Sequence, residues 1–354
     1  MKVVVRVDAS QHIGSGHVMR CLVLAQALKL AGHNVIFATR EQVSNLNAFI
    51  HNKGFKLIDL VKPKTWRTPT NTADYSAWLQ VSEHQDSQDF ISKVGSADLV
   101  IVDHYGINKF WHEQVKSKLD CALMVIDDLV RDHSATILLD QTLNRQPSEY
   151  KSTHPCTVLS GTDYALLKPG FSEIRKYLKK QIPQEHEILI TMGGIDMPNS
   201  SLKVLKALSK ETKKIPTTVL LSQRSPNYSQ VKEFAAIHAS WVKHIEFVDD
   251  MAELMSKFSI AIGAPGSTSW ERACLGIPSI LVPIAQNQNM IATELEKAHA
   301  AILINLNDID SELPLALNRL ITDWQTYSNN SFALCDGRGC ERAVNKIEEV
   351  MGIC

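Results

Sequence analysis

Short apolar runs alternate with longer amphipathic stretches along the first third of the chain. Apolar runs of about four to eight residues are typical of strands buried in a parallel sheet, and the stretches between them are long enough for crossover helices. The pattern therefore predicts an α/β fold. The predicted strands are residues 3–8, 34–39, 56–60, 99–103 and 122–127, and the predicted helices are residues 18–30, 43–52, 75–94 and 109–118.

The same rhythm returns in the second half of the chain, after it weakens between Asp140 and Gln184. Proline and glycine interrupt that middle region at Pro147, Pro169 and Gly170, which is typical of loops. The second series of predicted strands covers residues 187–192, 217–221, 245–248, 260–263, 279–282 and 301–304.

Two series of this kind predict two doubly wound, Rossmann-like domains that face each other across a cleft, since such sheets bind ligands at the carboxyl ends of their strands. The expected divisions are an N-terminal domain at 1–165, a linker at 166–184, a C-terminal domain at 185–335, and a last helix within 336–354 that packs across the cleft.

Composition narrows the range of partners. A chain of 354 residues with 44% hydrophobic residues is long enough for two cores. Its formal net charge of -1 gives no electrostatic case for binding nucleic acid or a membrane, so we expect a small-molecule ligand and a monomer. With no secretory leader and no apolar run that could span a bilayer, we expect a cytoplasmic protein. The seven cysteines form no CxxC pair, and we expect neither a metal nor a cofactor.

The loop after the first predicted strand carries the strongest chemical signal. Gly14 and Gly16 allow a tight turn with open space beside it, and His17 stands where the helix begins. An imidazole there can exchange a proton near neutral pH, which predicts His17 as a general base, although capping or packing is the alternative. Asp8 either orients His17 or the ligand, or caps the loop, and His12 is expected at the surface.

Two further glycine loops predict a nucleotide site in the C-terminal domain. Gly193-Gly194 closes one strand, and Gly266-Ser267-Thr268-Ser269 follows another and opens a helix, where free N–H groups and hydroxyls suit a diphosphate. Glu271, in the first turns of that helix, is placed to accept hydrogen bonds from a ribose. Neither loop is a P-loop or a GxGxxG motif.

Other residues admit two interpretations each. Tyr105, at a strand end, either contacts the ligand or only lines the cleft, and Trp270 is more often core than a stacking platform for the base of a nucleotide. Asn287 and Gln288 either contact the ligand or cap a helix. Asp127 and Asp128 are neighbours on a strand and point to opposite faces, so a shared ion is not expected.

A set of motifs runs in order from residue 8 to residue 339. These motifs are Asp8-Ala9-Ser10, Ile13-Gly14-Ser15-Gly16-His17, Arg20-Cys21, residues 102–106, Ile126-Asp127-Asp128, residues 193–196, residues 263–272, Gly276-Ile277-Pro278, Asn287-Gln288 and Asp336-Gly337-Arg338-Gly339. As a set they resemble the PseG family, the UDP-sugar hydrolases of pseudaminic acid biosynthesis.

The resemblance implies a GT-B fold related to the MurG-type glycosyltransferases and the hydrolysis of UDP-2,4-diacetamido-2,4,6-trideoxy-β-L-altrose to UDP and the free sugar. Water activated by His17 attacks the anomeric carbon with inversion and without a metal, and Asp8 and Tyr105 give support; failing His17, Asp8 and Asp103 are the next candidate bases. The expected UDP-sugar contacts are Gly14, Gly16, Arg20, Gly193, Gly194, Gly266, Ser267, Thr268, Ser269, Glu271, Asn287 and Gln288.

Two alternatives stay open from the sequence. A glycosyltransferase would use the same UDP-sugar platform and pass the sugar to an acceptor, and a docking patch for membranes on the first domain would favour it. A non-catalytic nucleotide-sugar binding protein would not need the histidine.

Overall fold

The computed structural model describes residues 1–150, 156–178 and 181–353. Residues 179–180, which fall in the predicted linker, lie outside the described part. The chain divides into two compact units, of which the first consists of Met1–Leu166 with Arg338–Cys354 and the second of Leu167–Gly337. No helix in the described ranges is both long and apolar enough to cross a membrane.

The first unit is built on a parallel seven-stranded sheet with strand order β3-β2-β1-β4-β5-β6-β7. Its central strands are buried along their whole length, because helices cover both faces of a parallel sheet. The strands are β1 (Lys2–Val7), β2 (Asn34–Thr39), β3 (Lys56–Asp59), β4 (Leu99–Asp103), β5 (Ala122–Ile126), β6 (Ile137–Asp140) and β7 (Thr157–Ser160).

The sequence predicted β1 to β5 and missed β6 and β7. The prediction relied on the alternation of strands with helices, and no α-helix separates β5 from β6. Between β6 and β7 the described residues form only one short 3₁₀ turn, Pro147–Glu149. The connections at this edge of the sheet are irregular, so the rhythm of the sequence stops although the sheet continues.

The helices of residues 1–166 differ from the prediction in two places. They are α1 (Gly16–Leu30), α2 (Asn47–Asn52), α3 (Tyr75–Trp78), α4 (Glu83–Val94) and α5 (Lys109–Leu119). The single helix predicted over residues 75–94 is broken, because Gln80 is left-handed (φ +67°) and Ser82 caps the backbone N–H of Gln85 at 3.1 Å. The helix predicted from residue 43 starts later, since Ser44 is also left-handed.

The second unit is built on a parallel six-stranded sheet with strand order β10-β9-β8-β11-β12-β13. Its strands are β8 (Ile188–Thr191), β9 (Thr217–Leu220), β10 (Val242–Ile245), β11 (Ile260–Gly263), β12 (Ser279–Leu281) and β13 (Ala301–Leu303). The strand predicted over residues 245–248 was wrong by three positions. Val242 pairs with Thr217 in the sheet, whereas the apolar Phe247 lies in the following loop with 60% of its surface exposed.

The remaining helices belong to the second unit, except the last one, which belongs to the first unit. Those of the second unit are α6 (Pro169–Arg175), α7 (Ser200–Lys210), α8 (Tyr228–Ile237), α9 (Met251–Met255), α10 (Ser267–Leu275), α11 (Asn289–Lys297), α12 (Ile309–Thr322) and α13 (Trp324–Leu334). The last helix, α14 (Gly339–Val350), buries Ala343 and Ile347 in the core that also contains β1 and α1. Gly339 passes the backbone of Ala165 so closely that a Cβ would lie 2.4 Å from its nitrogen.

Each sheet changes winding direction at one point. In the first unit this point lies between β1 and β4, where Val7 pairs with Asp103. In the second unit it lies between β8 and β11, where Thr191 pairs with Gly263. The carboxyl ends of strands at such a point leave a crevice that binds ligands in open α/β sheets. Ligand-binding residues are therefore expected at these two places.

Candidate active site

The loop between β1 and α1 is a closed turn beside open space. Gly14 donates its backbone N–H to the carbonyl of Ser10 at 2.8 Å, and the Ser10 hydroxyl accepts from the N–H of Ile13 at 3.1 Å. Gly14 needs a positive φ of +79°, which glycine adopts without strain. At Gly14 and at Gly16 no atom of the described residues, apart from the adjoining backbone and the neighbouring residues, lies within 4 Å of where a Cβ would be. A ligand can approach the backbone closely at both predicted positions.

His17 lies against Asp103 at the end of β4. Its Nδ1 is 2.6 Å from a carboxylate oxygen of Asp103, and 9% of its side chain is exposed. An ionised carboxylate only accepts hydrogen bonds, so Nδ1 carries a ring proton, and in the neutral imidazole the lone pair is then on Nε2. Nε2 has no hydrogen-bond partner within the described ranges. The pair therefore has the geometry of an oriented general base.

Arg20 and His17 keep Asp103 ionised. Burial alone would raise the pKa of Asp103, but the charge of Arg20 and the hydrogen bonds from both residues outweigh it and hold this pKa far below its usual range. Arg20 binds both oxygens of Asp103, through Nε at 2.6 Å and Nη2 at 2.7 Å. Asp103 thus supports His17 instead of accepting a proton itself. The guanidinium of Arg20, which the sequence assigned to UDP, is engaged with this carboxylate.

Asp8 lies in a different network. Its carboxylate accepts two hydrogen bonds from Arg6, at 2.6 Å and 2.9 Å, and one from the backbone N–H of Arg40 at 2.7 Å. Burial opposes ionisation, but the adjacent Arg6 charge still leaves the pKa of Asp8 well below its usual range. No contact between Asp8 and His17 is found in the described part of the chain. The structure therefore brings Asp103, and not Asp8, to the imidazole.

Aromatic rings form one side of the His17 site. The Tyr105 ring meets the imidazole edge-on at a centroid distance of 4.6 Å, and Trp78 stacks on Tyr105 at 5.7 Å. Tyr75 contacts Tyr105 from α3 at 5.0 Å. The sequence analysis did not assign Trp78 or Tyr75 to the site, and both fell within the single helix predicted over residues 75–94.

The adjacent carboxylates of Asp127 and Asp128 have separate partners. Asp127 binds Arg131, whose Nε lies 2.8 Å from it. Asp128 accepts a hydrogen bond from the Tyr105 hydroxyl and another from Nη1 of Arg20 at 3.3 Å. Burial and the Asp128 charge raise the pKa of Tyr105 well above its usual range, so its hydroxyl remains a donor. Asp128 is a site residue that the sequence did not propose.

The glycine loops of the second unit also border open space. Gly193 has a φ of +79°. Apart from the neighbouring residues, no described atom lies within 4 Å of where a Cβ would be at Gly193 or at Gly266. Gly266 precedes α10, whose first turn contains Ser267 and Thr268 and has the positive end of the helix dipole. The Ser269 hydroxyl lies inward and accepts hydrogen bonds from the N–H of Gly266 at 3.3 Å and from Arg272 at 3.0 Å. Ser269 therefore supports the loop.

Asp196, in the loop after β8, caps α7. Its carboxylate accepts the backbone N–H groups of Ser200 and Ser201, both at 2.8 Å. Asn199, directly before the helix, makes no side-chain cap bond. The cap therefore comes from a residue that is separated in sequence from the helix it serves.

Glu271 has a buried acceptor without a donor. No hydrogen-bond partner of its Oε2 is found among the described residues. Burial raises the pKa of Glu271 to about 7, against the charges of Arg272 and Lys168. A carboxylate in this state is ready for a ligand that donates hydrogen bonds. The neighbouring Trp270 is fully buried and cannot stack on a base.

Asn287 and Gln288 lie in the short 3₁₀ turn Gln286–Gln288. The side-chain oxygen of Gln288 accepts the N–H of Ile284 at 2.8 Å, which leaves its amide nitrogen as a donor. α11 begins after them without a side-chain cap, so Asn287 does not serve as one.

Comparisons with known proteins agree with this geometry. Residues 188–338 match the glycosyltransferase family 28 C-terminal domain. The chain is 27% identical over 299 residues to the UDP-2,4-diacetamido-2,4,6-trideoxy-β-L-altropyranose hydrolase of Campylobacter jejuni, covering 84% of this chain and 97% of that protein. It is 23% identical to the spore coat polysaccharide biosynthesis protein SpsG of Bacillus subtilis, covering 99% and 98%.

A solved structure confirms the predicted fold. The crystal structure of MurG from Acinetobacter baumannii superimposes with a TM-score of 0.63 at 14% identity, over 98% of this chain and 99% of that one. The chain therefore has the GT-B fold of the MurG-type glycosyltransferases, and its resemblance to the PseG hydrolases is confirmed by similarity along nearly the whole Campylobacter protein.

Proposed function

We propose that this protein hydrolyses UDP-2,4-diacetamido-2,4,6-trideoxy-β-L-altrose to UDP and the free sugar in pseudaminic acid biosynthesis. The Campylobacter hydrolase, which the chain matches over 97% of its length, supports this substrate. The observation that carries the proposal is the His17–Asp103 pair, because it leaves the lone pair of Nε2 available beside the open glycine loop.

The proposed reaction is a displacement at the anomeric carbon. Nε2 of His17 takes a proton from water as the new carbon–oxygen bond forms, and the bond from that carbon to the diphosphate breaks, so UDP leaves with the bonding electrons. Ionised Asp103 stabilises the resulting imidazolium, as a carboxylate does in a catalytic triad. Attack opposite to the leaving group inverts the anomeric centre. A diphosphate is a weakly basic leaving group and needs no protonating acid.

The second unit binds the UDP in this proposal. The N-terminus of α10 with Gly266, Ser267 and Thr268 receives the diphosphate, and Glu271 accepts hydrogen bonds from the ribose hydroxyls. The remaining proposed contacts to the UDP-sugar are Gly14, Gly16, Gly193, Gly194, Asn287 and Gln288. In this proposal Arg20 and Ser269 support these groups and do not bind the UDP-sugar themselves, since their polar atoms are engaged with Asp103 and Arg272.

The decisive experiment follows UDP release from the purified full chain in water alone, with and without candidate acceptors. We expect UDP release without an acceptor, and NMR of the first product formed should show the inverted anomer. His17→Asn is the control that should bind UDP and release little. Release that requires an acceptor would identify a transferase, which the family 28 match also allows. UDP binding without any turnover would identify a binding protein.

A further inference from the structure

We propose that Asp128 is a positioning residue of this site, which fixes both walls around His17; the inference rests on the proposed hydrolysis. Its carboxylate accepts a hydrogen bond from the Tyr105 hydroxyl on one side and from Nη1 of Arg20 on the other. Only 11% of the Asp128 side chain is exposed. The two partners are the residues that contact His17 and Asp103 respectively.

Asp128 reaches His17 through two short routes. The Tyr105 ring packs edge-on against the imidazole at 4.6 Å, so fixing the phenol hydroxyl fixes the ring that limits imidazole rotation. Arg20 holds Asp103 through two hydrogen bonds, and Asp103 holds Nδ1 of His17. A catalytic base must be held within a fraction of an ångström of its productive position. Asp128 connects the groups that do this.

The loop that presents Asp128 is locked from several sides. Asp127 accepts the backbone N–H groups of Leu129 at 3.3 Å and Arg131 at 3.1 Å. Arg131 in turn donates to the carbonyl of Tyr105 at 2.7 Å, which ties the loop to the tyrosine that Asp128 binds. Val130, which lies between Leu129 and Arg131, has a left-handed backbone with φ +56°.

The conformation of Val130 is an independent sign that this loop has a function. A β-branched residue with positive φ is a true outlier, because its Cβ crowds the backbone in the left-handed region. It persists only where the surroundings over-determine it, and such strain clusters at functional sites. Here the surroundings are the Asp127 and Arg131 bonds, and their effect is to hold the Asp128 carboxylate against Tyr105 and Arg20.

Asp128 also contributes charge. The charged and titratable groups around His17 in the described ranges are Asp103 from β4, Arg20 from α1, and Tyr105 and Asp128 from the loops after β4 and β5. Arg20 carries one positive charge, and Asp103 and Asp128 carry one negative charge each, so Asp128 adds negative charge near the place where the proposed imidazolium forms. Removing the charge of Asp128 makes protonation of His17 harder.

The test compares Asp128→Asn with Asp132→Asn, a substitution of the same kind on an exposed residue of the same loop region, whose carboxylate lies 3.3 Å from the Lys109 ammonium. Asp128→Asn should lower kcat roughly 10- to 100-fold with little change in KM, since misplacement of catalytic groups has effects of this size. The acidic limb of its pH profile should move to lower pH. Asp132→Asn should behave as wild type.

A second measurement does not require turnover. The titration of the His17 ring, followed by NMR without substrate, should move to lower pH in Asp128→Asn and stay in place in Tyr105→Phe, which loses the hydrogen bond but no charge. An unchanged His17 titration in folded Asp128→Asn overturns the inference, as does an unchanged kcat in an active enzyme. If the wild type hydrolyses no UDP-sugar, the proposed function fails, while the titration still decides whether Asp128 acts on His17. If Asp128→Asn does not fold, a wild-type kcat for Tyr105→Phe overturns the positioning role.

Discussion

At the scale of the residue, His17 depends on one hydrogen bond from Nδ1 to a buried carboxylate. Asp103 cannot take the proton itself, because Arg20 keeps it ionised. In the proposed reaction the roles are divided, with Nε2 accepting the proton and Asp103 stabilising the charge that results. This division separates the effect of His17 on chemistry from any effect on nucleotide binding.

His17→Asn should lower kcat by roughly 10²–10⁴-fold, the usual contribution of a general base. Its affinity for UDP, measured by calorimetry, should not change. The wild-type rate should also fall in acid, because a protonated imidazole accepts no proton. His12→Asn, an exposed histidine of the same loop, is the matched control and should keep full activity. A His17 variant with near-wild-type kcat would exclude this residue as the base.

In the proposed binding mode, Glu271 makes the affinity for UDP depend on pH. Burial raises its pKa to about 7, and ribose hydroxyls that donate to the carboxylate favour the charged form and lower that pKa again. UDP binding near pH 7 should therefore release a proton, which calorimetry detects in buffers of different ionisation enthalpy. Glu271→Gln should bind UDP roughly tenfold or more weakly, since hydrogen bonds to a charged group are worth about 1.5–3 kcal/mol each.

The control for this measurement is Glu253→Gln, a change of the same kind at an exposed glutamate that pairs with Lys257. It should leave both the affinity and the proton release as in wild type. Equal proton release by wild type and Glu271→Gln would mean that another group titrates and that Glu271 does not meet the ribose.

At the scale of the element, the irregular connections carry as much of the site as the helices do. The loop over residues 127–131 holds Asp128, and α3 brings Trp78 to the imidazole and Tyr75 to the Tyr105 ring. Both connections join strands of the first unit and lie outside the regular strand–helix alternation. Their conformations depend on particular hydrogen bonds and on left-handed residues.

Val130 gives a direct test of that conformation. A residue with a Cβ pays about 1–2 kcal/mol in the left-handed region, whereas glycine enters it readily. Val130→Gly should therefore have a higher free energy of unfolding than Val130→Ala, by about 1 kcal/mol in denaturant titrations. At Val23, inside α1, the order should be reversed, because glycine is the poorer helix former. The alanine variant being the more stable at position 130 would refute the strained conformation.

How far the sequence predicts these elements depends on their regularity. β1 to β5 were predicted because buried apolar runs alternate with helix-length stretches in the first third of the chain, and His17 was proposed as the base because Gly14 and Gly16 precede it. β6 and β7 were missed because no α-helix separates β5 from β6, and the described residues between β6 and β7 form only a 3₁₀ turn. Asp128 and Trp78 could not be assigned, since their contacts are with residues far away in sequence. The pairing of Asp8 with Arg6 could not be predicted, because the sequence does not show which buried arginine a strand-end carboxylate contacts.

At the scale of the whole molecule, each unit places its glycine loops where the winding of its sheet reverses. The diphosphate is proposed to bind to the helix N-terminus and hydroxyls after β11, and these donors neutralise its charge without a divalent ion. Hydrolysis should therefore proceed at an undiminished rate in EDTA. Loss of turnover on chelation that magnesium restores would show that an ion assists the leaving group.

The course of the chain between the units has a consequence for biosynthesis. The chain leaves the first unit after Leu166 and returns to it at Arg338, so the core containing β1 and α1 is completed only by α14. Domains fold as units while the ribosome delivers them in order. The second unit is continuous in sequence and can fold first, whereas the earlier-synthesised part of the first unit keeps an apolar face exposed until α14 emerges. A single cleavage of the chain therefore never yields two complete units, and premature termination before α14 exposes the nascent product to aggregation.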